Sequence, residues 1–107
     1  MTKLSKIDKI VQNLIDMTKI SFDFELLVVD EDDNLIASTI NSDRVNDIDL
    51  NKLSKYEIAI DKRKLGYIYI DDKNKKIENE DNIDSYLKQL IDIITEKYIE
   101  KMMEQET

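Results

Sequence analysis

The 107-residue sequence has no cysteine, no histidine and no proline, and its single glycine is Gly66. The absence of cysteine excludes disulfides and thiol nucleophiles, and the absence of both cysteine and histidine removes the usual zinc ligands. Histidine is also the commonest general base near neutral pH, so most hydrolase and redox chemistries are excluded. We therefore predict a protein that is not an enzyme and that has no catalytic residue, no metal site and no cofactor.

Positive charge is in the minority, with 16 Lys and Arg residues against 24 Asp and Glu residues and a formal net charge of -8. Such a surface repels nucleic acid phosphates and anionic lipid headgroups. No apolar run approaches the roughly 20 residues that span a bilayer, and the N-terminus lacks the apolar core and cleavage site of a signal peptide. The sequence thus predicts a cytoplasmic protein that binds neither nucleic acid nor membrane.

Apolar content is sufficient for one core. Hydrophobic residues make up 41% of the chain and charged residues 37%. The length is in the usual range for one domain and too small for two. We predict a single folded domain over residues 1–107 with a heavily ionised surface.

Amphipathic helices are predicted at both ends of the domain, where apolar residues recur at steps of three and four. The first runs from Leu4 to about Ile20. The second runs from Ile83 to Met102, and either Asp81 or Asn82 would cap its start.

The second helix contains apolar pairs at the spacing of a helix-pairing seam. Leu87 and Ile94 are seven residues apart, and so are Ile91 and Tyr98. This spacing is used between subunits in coiled coils, which indicates a homodimer through the terminal helices. Packing of the same stripe on the domain's own sheet is the alternative.

A first β-hairpin is predicted after the N-terminal helix. The β-prone run from Phe22 to Val29 is followed by the polar residues 30–34 and by a second run from Leu35 to Ile40. No glycine is available in this turn. We expect Asn34 to adopt the left-handed conformation, because asparagine tolerates a positive φ better than its neighbours.

A second hairpin is predicted from the alternating residues 56–60 and the run 65–70, joined by the turn 61–64. Gly66 begins the returning strand, where it would form a bulge or admit another backbone. Residues 41–55 carry a few apolar anchors at the spacing of a short helix and are expected to cover one face of the sheet. The predicted fold class is α+β, with an antiparallel sheet of four to five strands between terminal helices.

This element order, with a few motifs, resembles the PAS, GAF and Cache group of sensory domains, including the sugar-diacid-recognition type. The matching stretches are Val29–Thr39, then Asp43-Arg44-Val45, then Leu65–Ile70. Roadblock-type dimeric scaffolds have a similar layout and length and are the runner-up. Either resemblance implies sensing or scaffolding, and with the layout it supports a non-enzymatic regulatory module that dimerises and binds a small metabolite or a partner protein.

Five residues are our candidates for ligand binding: Ser38, Thr39, Arg44, Tyr67 and Tyr69. Small hydroxyls at a strand end beside an arginine are suited to a carboxylate. The two tyrosines would line a pocket if their side chains share a face. The structural alternatives are hydrogen bonding at the hairpin end with a surface salt bridge, and core packing for the tyrosines.

The acidic run at residues 30–34 has part of the spacing of a calcium-binding loop. Asp30, Asp32 and Asn34 occupy its first, third and fifth positions, but Leu35 replaces the glycine at position six and Asn41 the glutamate at position twelve. We interpret the run as a hairpin turn.

A second functional hypothesis does not need a small ligand. The net charge of -8 suits an acidic protein-interaction adaptor or inhibitor that presents its negative surface to a basic partner.

Overall fold

The computed structural model describes residues 4–22, 24–41, 44, 47–71 and 80–106. A 3-10 turn leads into helix α1, four strands follow, and a long helix comes last: Leu4–Ile7, α1 (Asp8–Phe22), β1 (Glu25–Asp30), β2 (Leu35–Ser38), β3 (Ser54–Ile60), β4 (Arg63–Asp71) and α2 (Glu80–Glu106). The fold is α+β, as the sequence predicts.

The four strands form one antiparallel sheet in the order β2-β1-β4-β3. The two predicted hairpins are present, and they join through the central pair β1 and β4. Strand β1 is buried from Leu26 to Asp30, because both faces of the sheet are covered at this point. Burial on both faces explains why its sequence is continuously apolar instead of alternating.

Both helices lie on one face of the sheet and form the larger core with it. Its fully buried side chains include Val11 and Ile15 of α1, Leu26 and Val28 of β1, Ile58 of β3, Ile68 of β4, and Leu87, Ile94 and Tyr98 of α2. Three of the four residues at seam spacing in α2 therefore lie in the core of the chain itself, namely Leu87, Ile94 and Tyr98. This agrees with the alternative prediction, in which the stripe packs on the chain's own sheet. A homodimer through the terminal helices stays a prediction.

A smaller apolar layer lies on the opposite face. Buried Leu27, Val29 and Tyr69 pack there against partly buried side chains, namely Ile40, Ile48, Leu50, Leu53 and Tyr67. The described part of segment 41–55 thus covers this face, as predicted. Among its described residues, Arg44 is helical. Leu50–Lys52 forms a 3-10 turn, begun by the Asp49 carboxylate, which accepts from the Asn51 N–H at 3.0 Å. Residues 42, 43, 45 and 46 lie outside the described residues.

Several predicted boundaries are wrong. In the second hairpin the turn is residues 61–62, since Arg63 and Lys64 already belong to β4. Phe22 ends α1 instead of starting β1, because its ring packs on Tyr86 of α2 with centroids 4.6 Å apart. Strand β2 ends at Ser38, two residues before Ile40. Helix α2 begins at Glu80, so Asp81 and Asn82 lie inside it instead of before its first turn.

The left-handed residue of the first hairpin turn is Asp33, with φ 65°, and not Asn34. The Asp30 carboxylate is the reason. It accepts from the backbone N–H groups of Asp32 and Asn34, both at 2.9 Å, and from the Asn34 side-chain amide at 3.2 Å. These bonds hold Asn34 directly before β2, so the residue before Asn34 makes the reversal.

Gly66 lies where β4 has a bulge and where another backbone comes close, as predicted. The β3–β4 register passes from Ile58 opposite Gly66 to Ala59 opposite Lys64, which leaves Leu65 as the extra residue. A Cβ at Gly66 would lie 3.0 Å from the Asp30 Cα and would collide with the Val29 carbonyl oxygen. Only glycine fits so close to the neighbouring strand.

Candidate functional site

The Thr39 hydroxyl is bound to the edge of the sheet. It accepts from the Leu26 N–H at 2.9 Å and donates to Glu25 Oε2 at 2.6 Å. The other oxygen of Glu25 pairs with Lys19 Nζ at 2.6 Å. A series of polar contacts therefore links α1, β1 and the residue after β2. The Thr39 hydroxyl, which we predicted to bind a ligand, has its partners within this series.

Ser38 and Arg44 are not joined by the hydrogen bonds of the described residues. The Ser38 hydroxyl donates to the Ile40 carbonyl at 3.1 Å and accepts from the Ile40 N–H at 2.9 Å, which turns the chain at the end of β2. Arg44 is exposed, and its backbone N–H donates to Asn41. A carboxylate site formed by these residues stays a prediction.

Tyr67 and Tyr69 share the outer face of the sheet, with ring centroids 6.5 Å apart. Tyr69 is buried in the outer apolar layer, whereas Tyr67 is partly exposed beneath two lysines. Lys55 Nζ lies 3.8 Å from the Tyr67 ring centroid and Lys64 Nζ lies 5.2 Å from it, both within cation–π range.

A hydrogen bond to Tyr67 raises the pKa of Lys64 above its ordinary value, and the nearby carboxylate of Glu57 acts in the same direction. Sequence reasoning selected the tyrosines and missed both lysines. The alternation of residues 55–58 could have shown that Lys55 lies on the tyrosine face of the sheet.

The acidic turn directs its buried carboxylate inward, since Asp30 is bonded to the turn's own amides. Among the residues that the structure describes, no group of three acidic side chains is placed to hold a metal ion.

An apolar groove lies at the end of the molecule where the β3–β4 turn meets the last turns of α2. Its volume is about 570 Å³, and its lining residues are Ile60, Asp61, Lys62, Arg63, Tyr98, Ile99, Met102 and Met103. Ile99 is 42% exposed and Met103 62% exposed. The sequence did not predict this groove, because its two walls come from segments almost forty residues apart.

A second concavity of about 530 Å³ lies beside strand β3 and is lined by Ser54, Lys55, Tyr56, Asp84, Lys88 and Ile91. The Tyr56 hydroxyl donates to Asp84 Oδ1 at 2.9 Å and so joins β3 to α2.

These features define a small α+β domain with a sheet covered on both faces and an open apolar groove at one end. In comparisons with protein families, with curated proteins and with solved structures, the chain matched none. Within the described ranges, neither helix is long and apolar enough to cross a membrane.

Proposed function

We propose that this chain is a non-enzymatic regulatory module that binds an apolar segment of a partner protein in the groove between the β3–β4 turn and the end of α2. The observation that carries the proposal is the pair of exposed apolar side chains, Ile99 and Met103, on one wall of that groove. The layout of helices around two hairpins, which resembles sensory and scaffolding domains, agrees with such a role. We place the module in the cytoplasm, as its composition predicts.

Methionine is suited to this task. Its unbranched thioether side chain adapts to differently shaped apolar partners, and such residues are common on surfaces that bind other proteins. Met102 is partly buried and continues the core into the groove, while Met103 lies at the rim. Lys62 and Arg63 line the opposite wall together with Asp61, so the turn contributes two positive charges and one negative charge to the groove of an acidic molecule. An apolar segment that carries an acidic residue would complement both walls.

A small apolar metabolite is a second occupant of the same groove. The volume of about 570 Å³ lies in the range of small-molecule sites. We therefore favour an apolar metabolite in the groove over a carboxylate bound at Ser38 and Thr39, because the hydroxyls of these two residues already have partners in the chain.

A matched pair of methionine variants tests the groove. Met103→Lys places a charge at the groove, and Met17→Lys makes the same change on α1, where Met17 is 63% exposed against 62% for Met103. Lysine and methionine have similar helix propensities, so neither change should disturb its helix. We expect Met103→Lys alone to abolish capture of a partner protein by the immobilised chain.

Thermal shift of the same variants separates the two occupants. A metabolite that binds the folded chain raises its stability with ligand concentration. A shift by medium-chain carboxylates that is lost in Met103→Lys would favour the metabolite. Equal capture by both variants, with no shift by any ligand, would contradict the proposal.

Salt dependence distinguishes the acidic-adaptor hypothesis, for which the net charge of -8 is the specific observation. Retention of a partner through exposed charges falls as ionic strength rises, whereas retention through the groove persists.

A further inference from the structure

Among the described residues, strand β3 forms one edge of the sheet. The register identifies which of its backbone groups point outward. The Thr39 N–H donates to the Leu26 carbonyl, so Leu26 bonds toward β2. Bonding direction alternates along an antiparallel strand. Leu27, which lies opposite Tyr69, therefore bonds toward β4.

The same alternation applies across β4. Because Tyr69 bonds toward β1, its neighbours Ile68 and Ile70 bond toward β3, where they lie opposite Tyr56 and Ser54. The N–H and C=O groups of Lys55 and Glu57 then point away from the sheet, toward the open side of β3.

The charges at these two positions complement each other. Lys55 and Glu57 are two residues apart, so they lie on the same face of β3, and both are exposed. In an antiparallel pair of identical strands centred on Tyr56, Lys55 of each copy faces Glu57 of the other. A pair centred on Glu57 would instead place the two glutamates opposite each other, which is unfavourable.

We propose that β3 pairs in an antiparallel manner with β3 of a second copy of this chain, about a twofold axis through Tyr56. Each Lys55–Glu57 pair exchanges two backbone hydrogen bonds and forms one ion pair across the axis. The concavity lined by Lys55, Tyr56 and Asp84 lies beside this edge, and the second copy covers it. This surface is separate from the groove proposed above and does not depend on it.

The other edge of the sheet explains why such pairing stops at a dimer. Strand β2 has four residues, and the side-chain amide of Gln12 occupies the outward backbone groups of Ser38. A short edge strand whose outward groups are partly occupied is a poor template for another strand. The two β3 edges pair in a self-complementary contact, which closes as a dimer and does not by itself extend into a filament.

Charge reversal tests the proposal. Lys55→Glu places two glutamates opposite each other across the axis on both sides, and Glu57→Lys does the same with two lysines. In sedimentation velocity over a concentration series, we expect a wild-type dimer that dissociates about tenfold more readily in either single variant. The double variant Lys55→Glu/Glu57→Lys should restore the dimer, and so should an equimolar mixture of the two single variants.

The controls separate pairing from folding. Glu96→Lys makes the same change of charge at an exposed position of α2 and should leave the dimer intact. Lys55 also contacts the Tyr67 ring, so circular dichroism must show that each variant is folded. Glu57→Lys keeps that contact and is decisive by itself. A monomeric wild type, or single variants that dimerise as well as the wild type, would overturn the proposal.

Discussion

The side-chain amide of Gln12 on α1 binds both backbone polar groups of Ser38 on β2. Gln12 Oε1 accepts from the Ser38 N–H at 3.0 Å, and Gln12 Nε2 donates to the Ser38 carbonyl at 2.8 Å. A primary amide carries one acceptor and one donor side by side, so it imitates the backbone of a neighbouring strand. Helix α1 thereby occupies the outward backbone groups of Ser38 on this edge of the sheet.

Replacement of Gln12 by alanine should destabilise the domain and expose this edge. Two partly buried hydrogen bonds are lost, for which we expect a decrease of about 1–3 kcal/mol in the free energy of unfolding. Chemical denaturation measures the decrease. Gln89→Ala, at an exposed position of α2, is the matched control and should change stability by less than about 0.5 kcal/mol. Equal effects of the two variants would mean that the Gln12 contact contributes nothing.

Replacement of Gly66 by alanine should be among the most damaging single changes. The added Cβ meets backbone atoms of Val29 and Asp30, which cannot move without disrupting the β1–β4 pair. We expect a loss of about 3 kcal/mol or more. The comparison is Ala59→Ser, which adds one atom at a partly exposed position of β3. A Gly66→Ala variant with wild-type stability would refute the close approach of the strands.

Leu87→Ala distinguishes core packing from a helix seam between subunits. Leu87 is 0% exposed within the single chain, so its truncation should cost about 2–5 kcal/mol. We expect this difference from the wild type to be the same at every protein concentration, because the cavity forms inside one copy. A seam contact would make the difference depend on concentration. Ile93→Ala, at a residue 39% exposed, is the control and should cost much less.

The contribution of Lys64 to stability should depend on pH. Its hydrogen bond to Tyr67 raises its pKa in the folded state, above a value of about 10.4 in the unfolded chain. The contribution is therefore complete below the unfolded pKa and is lost as the pH rises through the folded pKa. Unfolding of the wild type and of Lys64→Met, measured from neutral to alkaline pH, should differ less as the pH increases. A difference between the two chains that stays constant over this pH range would contradict the role of Lys64.

The sequence predicted the elements well because their signals are local. Apolar spacing located both helices, and the punctuated β-prone runs located both hairpins. The ends of these elements were harder to predict. Phe22 is β-prone by composition, but contact with Tyr86 keeps it helical. That contact joins residues more than sixty positions apart, so no local pattern contains it.

For the candidate ligand residues, too, the sequence predicted what depends on local spacing and missed what depends on distant contacts. The sequence placed Tyr67 and Tyr69 on one face, because side chains alternate along a strand. From the sequence we predicted that the hydroxyls of Ser38 and Thr39 bind a ligand. In the fold, the Ser38 hydroxyl bonds to Ile40, and the Thr39 hydroxyl bonds to Leu26 and Glu25. The availability of a polar group depends on its neighbours in space.

The sequence alone determined that the chain has no cysteine or histidine chemistry, that it is acidic, and that one helix precedes and one helix follows two hairpins. These properties depend on composition and short-range periodicity. Tertiary structure decided that Leu87, Ile94 and Tyr98 serve the chain's own core, that Gln12 closes one sheet edge, and that an apolar groove forms between the β3–β4 turn and α2. Each of these results depends on contacts between distant segments, which exist only once the sheet has brought those segments together.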